Sequence, residues 1–263
     1  MRKRMFLAWC LTGLFCSMNG THAVADDKPG IRIYYQDDTD KGGPQKPSDT
    51  GLDRVMQYFE RATGYHLELV PLPWNRARMM AEKGEGFIFG FSRTPERELI
   101  FDYSLPYMVE SVWAITYGDP PDEYRSVGDL KGKVVCMGRG NSFGPGFEKV
   151  RNQLFRVQED FGWEAARLRK LINGQCDVVL WSGHVQRGPA EVEQYVNNTL
   201  VHNLRDPELL GKTFHVSPNP LFSDPQHFAT AKGHLSAELD ALNEAIRRGS
   251  KSGELPRVLA NYH

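Results

Sequence analysis

This chain of 263 residues is poor in cysteine, has no excess of either charge, and contains no apolar run of transmembrane length. Its 32 lysines and arginines are balanced by 33 aspartates and glutamates, so nothing in its charge favours nucleic acid or an anionic membrane surface as a partner. The 8 histidines show no HExxH or other paired-ligand spacing. We therefore predict no metal ion and no other cofactor.

The amino terminus has the pattern of a secretory signal peptide. Residues 2–4 are basic, residues 5–15 form a short apolar run, and residues 23–25 are small enough for cleavage. The apolar run is shorter than the ~20 residues that cross a bilayer. We expect residues 1–25 to be removed and the mature protein to be periplasmic.

Two cysteines, Cys136 and Cys176, remain after that cleavage. An oxidising periplasm permits a disulfide between them. Two separate buried thiols fit the sequence equally well, because the Cα separation that a bridge requires cannot be read from spacing along the chain.

Strand and helix patterns alternate along the mature chain, which is typical of an α/β fold with a mainly parallel sheet. A turn-rich break at residues 118–121 separates two such series. The predicted strands cover residues 31–35, 66–70, 87–91, 133–137, 156–159, 177–181 and 228–232. The predicted helices cover residues 52–63, 74–83, 94–99, 147–155, 163–172 and 237–248.

The segment SRTPERELIFDYSLPY, residues 92–107, is the most informative part of the sequence. Thr94 is suited to an N-cap, Pro95 to the first helical position, and Arg97 then stands at the third. An arginine beside the free N–H groups of a helix start suits an anion. The alternative is that Arg97 forms a surface ion pair with Glu98 or Asp102.

This segment resembles the lobe-one signature of family 3 bacterial solute-binding proteins, the periplasmic receptors of polar amino-acid ABC importers. The similarity extends over nearly the whole mature chain and is strongest at residues 73–107, 129–142 and 242–262. It implies a type II periplasmic-binding fold, in which two α/β lobes enclose the ligand. Lobe one would comprise residues 26–115 and 229–263, and lobe two residues 116–228.

The resemblance also implies roles for individual residues. Arg97 and Ser92 match the positions that hold the ligand carboxylate from lobe one. Asn141 and Ser142 match the lobe-two loop that completes the carboxylate site, although capping of the next helix is an alternative use. Trp74 stands where an aromatic ring often stacks on the ligand, unless it only packs the start of its helix.

One position departs from the family pattern. The carboxylate that grips an α-ammonium is expected five residues after Asp177, where this sequence has Ser182. A neutral serine stabilises a cation much less than an ionised partner does. We therefore expect the site to recognise a carboxylate, whereas recognition of an amine would need another carboxylate in place of the missing one. The possible replacements are Glu85, Asp37, Asp38 and Glu110.

The sequence thus predicts a monomeric receptor that delivers a small carboxylate-bearing solute, an amino acid or a similar compound, to a membrane ABC permease, and not an enzyme. Two alternatives stay open. The same fold serves as the ligand-sensing module of membrane sensors. It also supports a few periplasmic lyases or dehydratases, for which Glu110, Asp177 and His184 would be the candidate acids and bases.

Overall fold

In the computed structural model, helices and strands alternate along the chain as the sequence predicts. The structure describes residues 30–36, 51–119, 121, 123–160, 164–183, 188–260 and 262. The predicted signal peptide, Asp37, Asp38 and His184 lie outside these residues. Within the described ranges, no helix has both the length and the apolar character that crossing a membrane requires.

The first series of elements follows the predicted strands and helices closely. Gly64, with a φ of 76°, ends the first helix at the predicted position, since glycine adopts this left-handed conformation without strain. The elements are β1 (Ile31–Gln36), α1 (Gly51–Thr63), β2 (Leu67–Leu72), α2 (Trp74–Glu82), β3 (Phe87–Ser92), β4 (Phe101–Tyr103) and β5 (Met108–Tyr117).

The second series begins after the break near residue 118, as predicted. A π-helical turn, Val196–Leu200, joins α5 to α6. The elements are β6 (Val134–Gly138), α3 (Gly144–Val150), β7 (Arg156–Asp160), α4 (Glu164–Ile172), β8 (Val178–Gly183), α5 (Pro189–Tyr195), α6 (Val201–Leu204), β9 (Phe214–Val216), β10 (Phe222–Ala231), α7 (Ser236–Ser252) and α8 (Glu254–Leu259).

Three predicted elements are corrected by the structure. The helix expected over residues 94–99 is only the short 3₁₀ turn Arg97–Leu99. The helix expected over residues 147–155 is α3, which begins at Gly144 because Pro145 is accommodated in its first turn, and ends by Val150. The left-handed φ of 57° at Asn152 prevents its continuation. The strand expected over residues 228–232 is β10, which starts six residues earlier, at Phe222.

The described strands form one hydrogen-bonded sheet in the order β2-β1-β3-β10-β5-β8-β6-β7, with β4 and β9 attached at β10 and β5. The pairs β1–β2, β1–β3, β6–β7 and β6–β8 are parallel. The two ten-residue strands β5 and β10 run antiparallel to each other in the middle of the sheet. They cross between two lobes, each with its own core.

Lobe one packs helices on both faces of its sheet. One face, with Phe87 and Phe89, packs against α1 and α7, while Ile88 and Phe91 lie on the other face against α2. Strict alternation along β3 would place Phe91 with Phe87 and Phe89. Gly90, with a φ of 73°, interrupts the alternation and turns Phe91 to the α2 face.

Lobe two alternates without such an interruption. Along β5, Val112 and Ala114 face one core while Trp113 and Ile115 face the other. The disulfide Cys136–Cys176 joins β6 to the chain just before β8, which begins two residues after Cys176, and its Cα atoms are 5.9 Å apart. This Cα separation lies within the range that a bridge requires, so the structure has the disulfide and not two separate buried thiols.

Candidate functional site

The predicted lobe-one residues lie at the carboxyl end of β3, facing the loop that follows β6. Ser92 is the last residue of β3, and Arg97 lies in the short helical turn Arg97–Leu99. Gly140, Asn141 and Ser142 follow the end of β6 at Gly138. Ligands of open α/β sheets bind beyond the carboxyl ends of the strands, so this is the expected place for a site.

Arg97 bridges the two lobes. Its Nη1 donates to the Ser92 carbonyl oxygen at 2.8 Å, and its Nη2 donates to the Gly140 carbonyl oxygen, also at 2.8 Å. The guanidinium lies 4.2 Å from the centre of the Phe91 ring, within the range of a cation–π contact. Burial lowers the pKa of Arg97, but an arginine stays charged in proteins.

The turn that presents Arg97 differs from the predicted capped helix. Thr94 Oγ1 accepts a hydrogen bond from the Arg97 backbone N–H at 3.2 Å, but the turn is 3₁₀ and begins at Arg97 itself, with Glu96 and not Thr94 at its N-cap. The surface ion pair that was the alternative for Arg97 is formed by its neighbour Arg93, whose guanidinium lies 2.8 Å from Glu98. The Gly90 bulge turns Phe91 to the face of β3 on which the Arg97 guanidinium lies.

Ser92 is buried at the same contact between lobes. Its Oγ lies 3.1 Å from the Ser142 carbonyl oxygen and 2.7 Å from Oδ2 of Asp224. Trp74 joins the cluster at the start of α2, where its Nε1 donates to the Gly140 carbonyl at 3.4 Å and its ring packs 5.8 Å from Phe91. The structure therefore brings Trp74, Ser92 and Arg97 together.

The lobe-two loop contributes its backbone to these contacts. Ser142 is buried, and its Oγ has no hydrogen-bond partner among the described residues. Asn141 is partly exposed, and its N–H donates to the Gly138 carbonyl at 3.2 Å. Neither side chain caps α3, because Phe143 stands at its N-cap and no side-chain hydrogen bond closes that end. The helix-capping alternative for Asn141 and Ser142 is wrong.

Ser182 lies on β8 opposite Val112 and is partly exposed. None of the hydrogen bonds described between the lobes at this site involves it. Its use in ligand binding stays a prediction.

Asp224 is the residue that the sequence analysis missed. It lies on β10, is 2% exposed, and stands directly across from Glu110 in the antiparallel pairing of β5 and β10. Burial raises the pKa of Asp224 to about 7, and the nearby Glu110 carboxylate acts in the same direction. The nearest signal in the sequence was Glu110, already named as a possible substitute for the missing carboxylate.

The described residues contain no group of three or more histidine, cysteine or carboxylate side chains placed to hold a metal ion. Asp177 has a structural contact, since its Oδ2 accepts a hydrogen bond from the Val134 N–H at 2.6 Å. Cavities of about 360 and 430 Å³ lie elsewhere, beside Tyr58 and beside His215.

Comparison with solved structures finds the same fold at low sequence identity. An amino-acid ABC transporter substrate-binding protein, AbpA of Streptococcus pneumoniae bound to L-arginine, is 20% identical, with a TM-score of 0.62 over 89% of this chain and 96% of its own. The GluR0 ligand-binding core of Nostoc punctiforme with L-glutamate is 17% identical, with a TM-score of 0.62 over 88% and 98%.

A third similar structure is a single periplasmic domain. The periplasmic VFT2 domain of Bordetella pertussis BvgS is 19% identical, with a TM-score of 0.66 over 90% of this chain and 94% of its own. Comparison with curated protein sequences finds no match. The sequence profile of the bacterial extracellular solute-binding proteins, family 3, matches residues 49–263, and the chain belongs to that family.

Proposed function

We propose that this protein is a receptor for a small carboxylate-bearing solute, an amino acid or a similar compound, which it delivers to an ABC importer. The observation that carries the proposal is the placement of Arg97. One guanidinium, supported on Phe91, donates to carbonyl oxygens of both lobes. A carboxylate has two oxygens that match the planar fork of an arginine, so a solute carboxylate can replace these two acceptors.

Ser92, Asn141, Ser142 and Trp74 would surround the bound carboxylate. Ser92 and Ser142 already meet across the lobes, and the buried Ser142 hydroxyl has unused hydrogen-bonding capacity in the described structure. The Trp74 ring supplies an aromatic surface at the same contact. Entry of a solute requires the lobes to separate, because Arg97 now donates to Gly140 across the cleft.

We place the lobe boundaries at residues 26–115 with 229–263, and at 116–228, as the family resemblance implies. The long strands β5 and β10 support a hinge in this region, since β10 pairs with the lobe-one strands β3 and β4, β5 pairs with the lobe-two strands β8 and β9, and the two pair with each other. Binding energy would then shift the balance between open and closed forms.

The compartment and the partner belong to the same proposal. Family membership and the leader-like amino terminus support a monomeric periplasmic protein that presents its closed form to a membrane permease. The S. pneumoniae protein of the same fold is described as part of an amino-acid ABC transporter. Family membership also supports binding without turnover.

The direct test is the affinity of Arg97 variants for carboxylates identified by a thermal-shift screen. We expect Arg97→Ala to weaken binding by about 100-fold or more, and Arg97→Lys to recover only part of it, since a lysine cannot form the paired bonds. Arg93→Ala is the matched control, because Arg93 is nearby but pairs with exposed Glu98. Unchanged affinity in Arg97→Ala would contradict the proposal.

A second candidate is a sensing role, which the BvgS domain favours through its similar fold. Both roles use the same site. Uptake of the radiolabelled solute by cells with and without the gene separates them: lost uptake supports the importer, whereas normal uptake with a lost transcriptional response supports the sensor.

A further inference from the structure

The Asp224 carboxylate lies where both lobes meet. Its Oδ2 is 2.7 Å from Ser92 Oγ of lobe one, and the same Oγ is 3.1 Å from the Ser142 carbonyl oxygen of lobe two. Its other oxygen, Oδ1, faces the start of α3, where a Cβ atom added to Gly144 would come within 2.9 Å. Asp224 therefore belongs to the same cluster as the predicted carboxylate-binding residues.

Two buried polar atoms in this cluster have no partner in the described structure. They are Oδ1 of Asp224, on a residue that is 2% exposed, and Oγ of Ser142, on a residue that is 8% exposed. A buried polar atom without a hydrogen bond costs about 1–3 kcal/mol, and folded proteins rarely leave such atoms unpaired. Because both atoms lie among the predicted ligand-binding residues, we infer that a polar group of the bound ligand forms the missing hydrogen bonds.

The charges around Asp224 favour a cation. Glu110 on β5 stands directly across from it, and the hydroxyl of Tyr107 is also close enough to interact with it electrostatically. Arg97 offsets part of this negative charge, because its guanidinium lowers the pKa of Asp224, but its hydrogen bonds go to the backbone carbonyls of Ser92 and Gly140 and not to the Asp224 carboxylate. A cationic group placed against Asp224 would favour its ionised form.

A proton can take the place of that cation, and the geometry at Ser92 fits one. The Ser92 hydroxyl has a single hydrogen but lies within bonding distance of two oxygens, the Ser142 carbonyl and Asp224 Oδ2. Both contacts are satisfied when Asp224 carries a proton and donates to Ser92, and Ser92 donates to Ser142. Burial also raises the pKa of Asp224 to about 7.

We propose that Asp224, and not the residue at position 182, receives the cationic group of the solute, which exchanges for a proton on binding. This inference depends on the proposed function, because it assumes that Arg97 holds the carboxylate of the same molecule. The solute class is then a zwitterion with an ammonium group near its carboxylate, such as an α-amino acid. Ser182 is left as a neutral residue on β8.

The test compares amino acids with acids that lack only the amine. Binding of the protein L-amino acids, and of the matching carboxylic acids without the α-amino group, is measured by calorimetry for the wild type and Asp224→Asn. We expect Asp224→Asn to weaken the amino acids by about 10–100-fold and the amine-free acids by less than about threefold. Asp206→Asn is the control, since Asp206 is a buried carboxylate paired with Arg169, away from the cleft.

Each outcome decides one of the two proposals. Equal weakening of both ligand classes by Asp224→Asn, or no weakening, overturns the role of Asp224. Amine-free acids that bind the wild type as tightly as amino acids overturn it too, and leave the carboxylate receptor standing. Failure of every acid and amino acid to bind the wild type overturns the proposed function, and the role of Asp224 with it.

Calorimetry of the wild type in buffers of different ionisation enthalpy gives an independent readout that requires no variant. At about pH 6.5, a group with a pKa of about 7 is mostly protonated. Binding of an amino acid should then release about half a proton or more, and binding of an amine-free acid should release none. Amino-acid binding without proton release would contradict the inference even if Asp224→Asn did not fold.

Discussion

The two sides of the cleft are built differently. Lobe one presents side chains, namely the Arg97 guanidinium, the Ser92 hydroxyl and the Trp74 indole, each of which reaches an oxygen of lobe two. Lobe two meets these groups with the backbone carbonyls of Gly140 and Ser142 and with one side chain, the Asp224 carboxylate beside Ser92. Residue types therefore determine the lobe-one side, whereas the lobe-two side depends largely on the course of the chain.

This difference explains why one side could be predicted more fully than the other. A side chain that binds a carboxylate leaves a recognisable residue type at a recognisable spacing. A backbone carbonyl leaves no such trace, because every residue has one.

The largest expected loss of stability comes from removing the disulfide that constrains the lobe-two backbone. The Cys136–Cys176 bridge closes a loop with a sequence separation of 40 and fixes β6, which leads into the Gly140 loop. We expect the Cys136→Ala/Cys176→Ala double variant to lose about 2–4 kcal/mol of unfolding free energy, measured by denaturant titration. Wild type in reductant should lose a similar amount. Equal stability of all three samples would contradict the bridge.

A smaller effect on stability is expected from Asp224, which lies on β10 between the two lobes. The pKa of Asp224 is raised from 3.8 to about 7 in the folded state, so between these values the folded protein holds a proton that the unfolded chain has released. Stability should therefore fall as pH rises from about 4 to about 7, with a contribution of about 1–3 kcal/mol from this group. Denaturant titrations at pH 5 and 8 measure it.

Asp224→Asn is the comparison for that measurement, because other carboxylates also titrate in this range. The variant should lose less stability than the wild type between pH 5 and pH 8. An identical pH dependence in the two proteins would show that Asp224 is ionised throughout.

The smallest expected loss of stability comes from changing the Gly90 bulge in lobe one. Gly90→Ala puts a side chain at a φ of 73°, at a cost of about 1–2 kcal/mol, and disturbs the bulge that turns Phe91 toward Arg97. Gly132→Ala is the control, since its φ is 76° and an added Cβ would meet nothing within 4 Å. Both should lose stability in denaturant titrations, but only Gly90→Ala should weaken carboxylate binding. Equal affinities would contradict the role of the bulge.

Much of the fold was predictable from local patterns. The alternation of strands and helices and the glycine stop at Gly64 depend on neighbours in sequence, and the structure confirms them. The start of α3 was predicted at residue 147 instead of Gly144, although Pro145 suits the first turn of a helix.

The candidate site was predictable only in part. The meeting of Asp224 with Ser92 and Glu110 depends on the register of β10 against β3 and β5, which joins residues more than 100 positions apart. Such register is set by the packing of both lobes and not by any local spacing. For the same reason the sequence could name Glu110 but not the carboxylate beside it.

The unbroken sheet through both lobes has a mechanical consequence. β5 and β10 pass from one core to the other as hydrogen-bonded strands, so the lobes are not joined by slack linkers. Any rotation that opens the cleft must twist this two-stranded ribbon, and Pro225 within it offers no N–H to the ladder. The ribbon therefore behaves as a torsion element, which restricts the directions in which the lobes can separate.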